Sequence, residues 1–178
     1  SPEMFREHIA ALRLDEHYPG IQGVGFAQVI PAAALPGHLA QMRASGFPEY
    51  RAWPEGRREL LTAITRIEPF DRMNARAIGY DMFSEPVRRE AMARARDSGR
   101  AALSGKVTLV QELPTNVQAG TLLYLPVYRR GMPVGSVEQR RAAILGWVYA
   151  PFRIGDLMSS LEAGRYRDID VALYDGEQ

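Results

Sequence analysis

A helix followed closely by several strand segments is the pattern that most restricts how this chain can fold. Residues 84–86 place a hydroxyl, an acid and a proline at a helix start, and Gly99 follows the last periodic residue. These signals predict a helix over residues 85–98, with the hydroxyl of Ser84 as its N-terminal cap. The segments after it are typical of strands, at residues 101–110, 121–128 and 142–151, with a connecting loop predicted over 129–140. Strands in such close succession can pair as an antiparallel meander.

The remaining segments alternate between the two periodicities. Phe5, Ile9 and Leu12 share one helical face, which predicts a helix over residues 2–15. Further helices are predicted over residues 35–45, 73–79 (as a short helix or turn) and 154–161, and further strands over residues 23–30, 50–53, 60–67 and 170–174. The order predicts an α+β fold, with an antiparallel sheet flanked by helices.

Composition narrows the classes of function. The chain has 178 residues, 46% of them hydrophobic, so it can bury a sizeable core. Its formal net charge is only +1, without the clustered basic excess of a nucleic-acid-binding protein. It has no cysteine, which excludes disulfides, thiol nucleophiles and cysteine-ligated zinc. The longest nearly apolar run, residues 142–152, is shorter than the roughly 20 residues of a membrane-spanning helix.

Familiar catalytic motifs do not occur. His8, His17 and His38 fit no metal-binding spacing, and we expect no metal and no cofactor. There is no nucleophile elbow or phosphate-binding loop, and the Gly23-Val-Gly25 fragment lies within a predicted strand. We therefore expect that this chain is not an enzyme. Two alternatives stay open: a small enzyme with an unfamiliar site, and a protein-interaction module without a pocket.

Several short segments, in fixed order, resemble one known family. They lie at residues 18–26, 78–83, 93–99, 123–128 and 145–149. Together they resemble the CHASE family, the extracytoplasmic sensor modules of membrane receptors that include the plant cytokinin receptors. The resemblance implies the end of a stalk helix at residues 1–17, a PAS-like ligand-binding module at 18–152, and a linker helix with the first strand of a second PAS-like module at 153–178.

One arginine is prominent in the helix predicted over residues 85–98. Arg88 stands beside the apolar stripe that Ala91, Met92 and Ala95 form at helical spacing. A charge at the edge of a buried face needs a partner or water. Arg88 therefore either forms a structural salt bridge or extends its head to solvent, or it reaches into a ligand pocket.

The resemblance favours the role of Arg88 in a ligand pocket. The position of Arg88 corresponds to an aspartate that binds the adenine ring in the plant cytokinin receptors. Around it, Met82 is retained, whereas Ser104, Val110 and Tyr124 replace other residue types and the turn at Trp147 is bulkier. The residues expected to bind ligand are therefore Tyr80, Met82, Arg88, Ser104, Val110, Tyr124 and Trp147. Because arginine offers only donors, we expect an anionic or strongly accepting small molecule rather than a cytokinin.

The resemblance also implies a setting for the domain. We expect a periplasmic sensor of a bacterial inner-membrane receptor, joined by flanking helices to a histidine kinase, a cyclic-di-GMP enzyme or an adenylate cyclase. We expect a small-molecule ligand, a homodimer in the full receptor and no nucleic-acid partner.

Overall fold

The computed structural model describes residues 2–18, 20–112, 117–163 and Tyr174. Its centre is an antiparallel sheet of six strands, in the order β2-β1-β6-β5-β3, with β4 also paired to β5. The strands are β1 (Val24–Pro31), β2 (Leu60–Glu68), β3 (Ala102–Leu103), β4 (Val107–Thr108), β5 (Ala119–Tyr128) and β6 (Ile144–Arg153). The helices are α1 (Pro2–Ala11), α2 (Leu14–His17), α3 (Leu35–Ala44), α4 (Pro86–Ser98), α5 (Val137–Ala143) and α6 (Ile154–Ala163), with short 3₁₀ turns at Ala32–Ala34, Asn74–Ala77 and Met82–Ser84. The predicted α+β class is confirmed.

The main core lies between one face of the sheet and α4. Alternate residues of the central strands face it, and Trp147 and Tyr149 of β6 are both buried. Tyr149 pairs with Gly25 of β1 on one side and with Tyr124 of β5 on the other. The side chains of Ala91, Met92 and Ala95 close the core from α4.

Both ends of α4 have clear causes. The carboxylate of Glu85 accepts hydrogen bonds from the backbone N–H groups of Val87 and Arg88, at 3.0 and 2.9 Å. At the other end, Gly99 adopts a left-handed conformation with φ 71°. The prediction that Ser84 caps this helix is wrong, because the Ser84 hydroxyl donates instead to the carbonyl of Asp81 at 2.6 Å.

The prediction of a loop over residues 129–140 is also wrong in part, because α5 begins at Val137. Ser136 accepts from the Gln139 N–H, and the Gln139 side chain accepts from the Ser136 N–H, which forms a capping box. Arg140 and Arg141 of α5 then bind the carbonyl and the carboxylate of Asp97 at the end of α4. These contacts fix α5 against α4.

Three other predictions need correction. Residues 50–53 form no strand; Trp53 makes only an isolated bridge to Tyr80. The strand predicted over 101–110 is divided into β3 and β4, and the helix predicted over 2–15 is interrupted at Arg13, whose φ is 48°. The strand predicted over 170–174 lies outside the described residues, apart from Tyr174.

Within the described chain, no helix has the length and apolar character needed to span a bilayer.

Candidate ligand-binding site

Arg88 lies on the buried face of α4 and is only 4% exposed. Its Nη2 donates to the Thr108 carbonyl at 2.6 Å, and its Nη1 lies 3.2 Å from Oε2 of Glu85. The guanidinium carbon lies 5.4 Å from the centre of the Tyr80 ring, within the range of a cation–π interaction. The hydrogen bonds that the structure gives this side chain use two of its five N–H groups. The guanidinium is therefore directed into the protein, and it keeps N–H groups there that can donate hydrogen bonds to a ligand.

Two tyrosine hydroxyls near Arg88 are buried without a hydrogen-bond partner. Tyr124 and Tyr149 are 0% and 1% exposed, and their ring centroids lie 6.4 Å apart. Burial raises the pKa of both phenols well above the ordinary value, although the positive charge of Arg88 acts in the opposite direction. Both groups therefore stay protonated at neutral pH and present O–H donors beside a guanidinium.

The backbone of β1 makes room for this arrangement. A Cβ atom at Gly25 would lie 2.5 Å from Cε1 and Cζ of Tyr149 and 2.6 Å from its hydroxyl oxygen. Carbon atoms in real side chains do not approach so closely, so a larger residue at position 25 would displace the ring. The glycine is thus a requirement of the inward position of Tyr149.

The other residues expected at the site lie in or against the core. Tyr80, Met82, Tyr124 and Trp147 belong to the main buried core, and Val110 packs against it. The polar groups of Ser104 and Trp147 are already bonded within the protein. The Ser104 hydroxyl donates to the Gly105 carbonyl at 2.8 Å and accepts from the Leu122 N–H at 3.0 Å, while the Trp147 indole donates to the Met92 carbonyl at 3.0 Å. Ser104 and Trp147 therefore shape the surroundings of Arg88 rather than offer unpaired polar groups.

Comparison with known proteins identifies the family. A family model described as the CHASE domain matches residues 1–178, the whole chain. The chain belongs to the CHASE domain family. It is also similar to hybrid signal transduction histidine kinase A of Dictyostelium discoideum, with 29% identity over 86 residues. That match covers 46% of this chain and 4% of the length of the kinase. The resemblance inferred from the sequence is confirmed, and the chain is a sensor domain of a signalling receptor.

Two residues of this CHASE domain were not predicted at the site. Glu85 both caps α4 and pairs with Arg88, and Tyr149 contributes one of the two unpartnered hydroxyls. A signal for Tyr149 was present, because it lies two residues after Trp147 in one strand and therefore faces the same side of the sheet. Within the described residues, no three histidine or acidic side chains converge in a way that would hold a metal ion.

Proposed function

We propose that this CHASE domain is the extracytoplasmic ligand-binding part of a transmembrane receptor, and that it recognises a small molecule through an anionic or strongly accepting group. Arg88, Tyr124 and Tyr149 would hold that group. The single observation that carries the proposal is the pair of buried phenol hydroxyls without partners beside a buried guanidinium. Each such hydroxyl costs about 1–3 kcal/mol of stability when it stays unpaired, and an accepting ligand would remove that cost.

The chemistry of these three groups selects against an adenine ring. Guanidinium and protonated phenol both donate hydrogen bonds, whereas the edge of adenine presents donors as well as acceptors. The carboxylate that pairs with Arg88 belongs to Glu85, and it already accepts hydrogen bonds from two backbone N–H groups of α4. A carboxylate or phosphate oxygen can instead accept from several of the donors together.

Signalling would follow from a shift between two arrangements of the domain. A ligand that prefers one arrangement tenfold supplies about 1.4 kcal/mol toward it. The matched segment of the Dictyostelium protein supports a receptor of the histidine kinase type. A cyclic-di-GMP enzyme is the alternative output domain. A periplasmic location and a homodimer in the full receptor are further parts of this proposal.

The proposal can be tested by thermal-shift screening followed by calorimetric titration. The panel contains small carboxylates, inorganic phosphate and isopentenyladenine, each titrated into the wild-type domain and into Arg88→Gln. The matched control is Arg94→Gln, which changes an exposed arginine of the same helix that pairs with Glu90. We expect carboxylates or phosphate to stabilise the wild type and Arg94→Gln, and to lose at least tenfold in affinity with Arg88→Gln.

Three outcomes would contradict the proposal. Stabilisation by isopentenyladenine alone would show that the site selects a purine. Equal anion affinity in Arg88→Gln and the wild type would place the binding elsewhere. Failure of every anion to bind the folded wild-type domain would remove the proposed ligand class.

A further inference from the structure

A groove lined by aromatic rings has Trp53 in its wall, and a single ring, that of Tyr80, lies between Trp53 and the guanidinium of Arg88. We infer that this groove is the entrance to the buried cluster of Arg88, Tyr124 and Tyr149 and binds an aryl group of the ligand. The Trp53 side chain, which separates the groove from the Tyr80 ring, is the gate on the groove side. The ligand class is then an aromatic carboxylate with a short spacer. The inference rests on the function proposed above and adds an aryl group to the anionic group of the ligand.

The groove has the size and surface of an aryl subsite. Its volume is about 320 Å³, whereas a cavity of about 150 Å³ is enough to hold benzene. Its walls include Phe47, Tyr50, Trp53, Phe70 and Ile78. The rings of Phe47 and Phe70 meet edge to face with centroids 5.7 Å apart, so the wall is formed from ring faces and edges.

The polar groups of the two aromatic side chains Tyr50 and Trp53 are already bonded within the protein. The Tyr50 hydroxyl pairs with Nε2 of His38 at 2.9 Å, and the Trp53 indole donates to the Ile78 carbonyl at 2.9 Å. Glu49 and Arg51 add one charge of each sign to the lining. Apart from these two charges the groove offers mainly apolar ring surface, and this surface suits the uncharged part of a ligand.

Trp53 connects the groove to the cluster. Its ring lies 4.7 Å from the ring of Tyr80, centroid to centroid, and the guanidinium of Arg88 lies over that same tyrosine ring. One aromatic ring thus separates the groove wall from the buried charge. A ligand whose aryl group and carboxylate are joined by two or three bonds matches this short separation.

The structure permits Trp53 to act as a gate by rotating its side chain alone. Its backbone is fixed, since its N–H donates to Gly79 at 2.9 Å and its carbonyl accepts from Asp81 at 2.6 Å. The indole ring is half-buried and makes one hydrogen bond, to Ile78. Rotation therefore breaks a single hydrogen bond, the tilted ring contact with Tyr80 and packing against the core, while the backbone stays in place.

The experiment compares acetate, phenylacetate and 3-phenylpropionate as probes of the wild-type domain and three variants. Trp53→Ala removes the gate. Phe70→Ala removes an aromatic ring from the groove wall. Because Phe70 is 52% exposed, this substitution has little effect on folding. Tyr18→Ala is the matched control, an exposed aromatic (50%) that does not line the groove. Affinities come from calorimetry, and rates come from NMR line shapes.

We expect 3-phenylpropionate to bind the wild type and Tyr18→Ala at least tenfold more tightly than acetate. In Phe70→Ala the preference for 3-phenylpropionate over acetate should fall at least threefold, while the affinity for acetate stays unchanged. Trp53→Ala should raise the association rate of the arylalkanoates at least fivefold. If Arg88-dependent acetate binding persists but the aryl group adds no affinity, or if neither variant differs from Tyr18→Ala, the inference is wrong and the proposed function stands. If the wild type binds none of the probes and no other anion, both are wrong.

Discussion

Tyr124 and Tyr149 pair directly across strands β5 and β6, and the hydroxyl of each is buried without a hydrogen-bond partner. Native proteins pair the large majority of their buried polar groups. Two neighbouring exceptions beside a buried arginine are therefore a feature that needs a functional reason. Binding of an accepting group supplies that reason, and the predictions below separate it from simple core packing.

The first prediction concerns the stability of the unliganded domain. Tyr124→Phe removes an unpaired buried hydroxyl and keeps the ring, so the free energy of unfolding should rise by about 1 kcal/mol. The same change should weaken binding of the stabilising anion about fivefold, because one donor is lost. Urea unfolding and calorimetry measure the two effects.

Tyr128→Phe is the matched control for this prediction. Tyr128 lies on the same strand, and its hydroxyl donates to the Arg96 carbonyl at 2.6 Å. Its loss should lower the free energy of unfolding by about 1 kcal/mol and leave anion affinity unchanged. Equal destabilisation by both variants would mean that the Tyr124 hydroxyl is bonded within the protein.

The second prediction concerns the charge beside Arg88. Glu85→Gln keeps a side-chain oxygen that can cap α4 but removes the negative charge 3.2 Å from the guanidinium. Anion affinity should rise three- to tenfold, since about 1 kcal/mol of competing attraction disappears. Stability should fall by about 1 kcal/mol as the cap weakens. Glu90→Gln, at an exposed acid of the same helix, should change neither; an unchanged or lower anion affinity in Glu85→Gln would contradict the prediction.

The third prediction is a pH dependence. Hydrogen bonds from Arg141 and Arg96 hold the pKa of Asp97 well below its usual range. A carboxyl group with a lowered folded-state pKa stabilises the fold above its unfolded pKa of about 3.9, and this contribution is lost as the pH falls further. Asp97→Asn should therefore cost about 1 kcal/mol at pH 7, because the pair with Arg141 is partly exposed. The difference from the wild type should shrink below pH 4; a cost independent of pH would exclude an ionic origin.

The fourth prediction tests how Gly25 accommodates Tyr149. Gly25→Ala should lower the free energy of unfolding by about 1–3 kcal/mol, because the added carbon overlaps the tyrosine ring. Gly37→Ala is the control, since no atom outside its own helix and neighbours lies within 4 Å of the added carbon. In the double variant with Tyr149→Leu, the cost of Gly25→Ala should fall by at least half. Additive costs would show that the two residues do not interact.

The sequence predicted the elements whose causes are local. The Gly99 terminus of α4 was predicted correctly, and so were the apolar strands β1, β2, β5 and β6 and the helix after them. The signal for α5, the capping pair Ser136 and Gln139, is also local, but the glycines and proline before it favoured the prediction of a loop. Residues 50–53 look like a strand in isolation, yet their backbone bonds go to the loop at Gly79 and Asp81, which only tertiary packing defines.

The positions of the candidate site residues could be inferred from the sequence only in part. The apolar stripe left open whether Arg88 forms a salt bridge, extends to solvent or points inward, and the resemblance named Tyr124 and Trp147, which the structure places in the core. The sequence could not show that the polar groups of Ser104 and Trp147 are used by the backbone, or that the Tyr149 hydroxyl is left without a partner. Those facts depend on the distances between strands and α4.

The most direct test is a crystal structure of the domain with the carboxylate or phosphate that stabilises it most. We predict that oxygen atoms of the bound anion lie within about 2.5–3.2 Å of the hydroxyls of Tyr124 and Tyr149 and of the Arg88 guanidinium. An anion bound elsewhere, with both hydroxyls donating to protein atoms and Arg88 bound only to Glu85 and Thr108, would contradict the proposed role of this cluster.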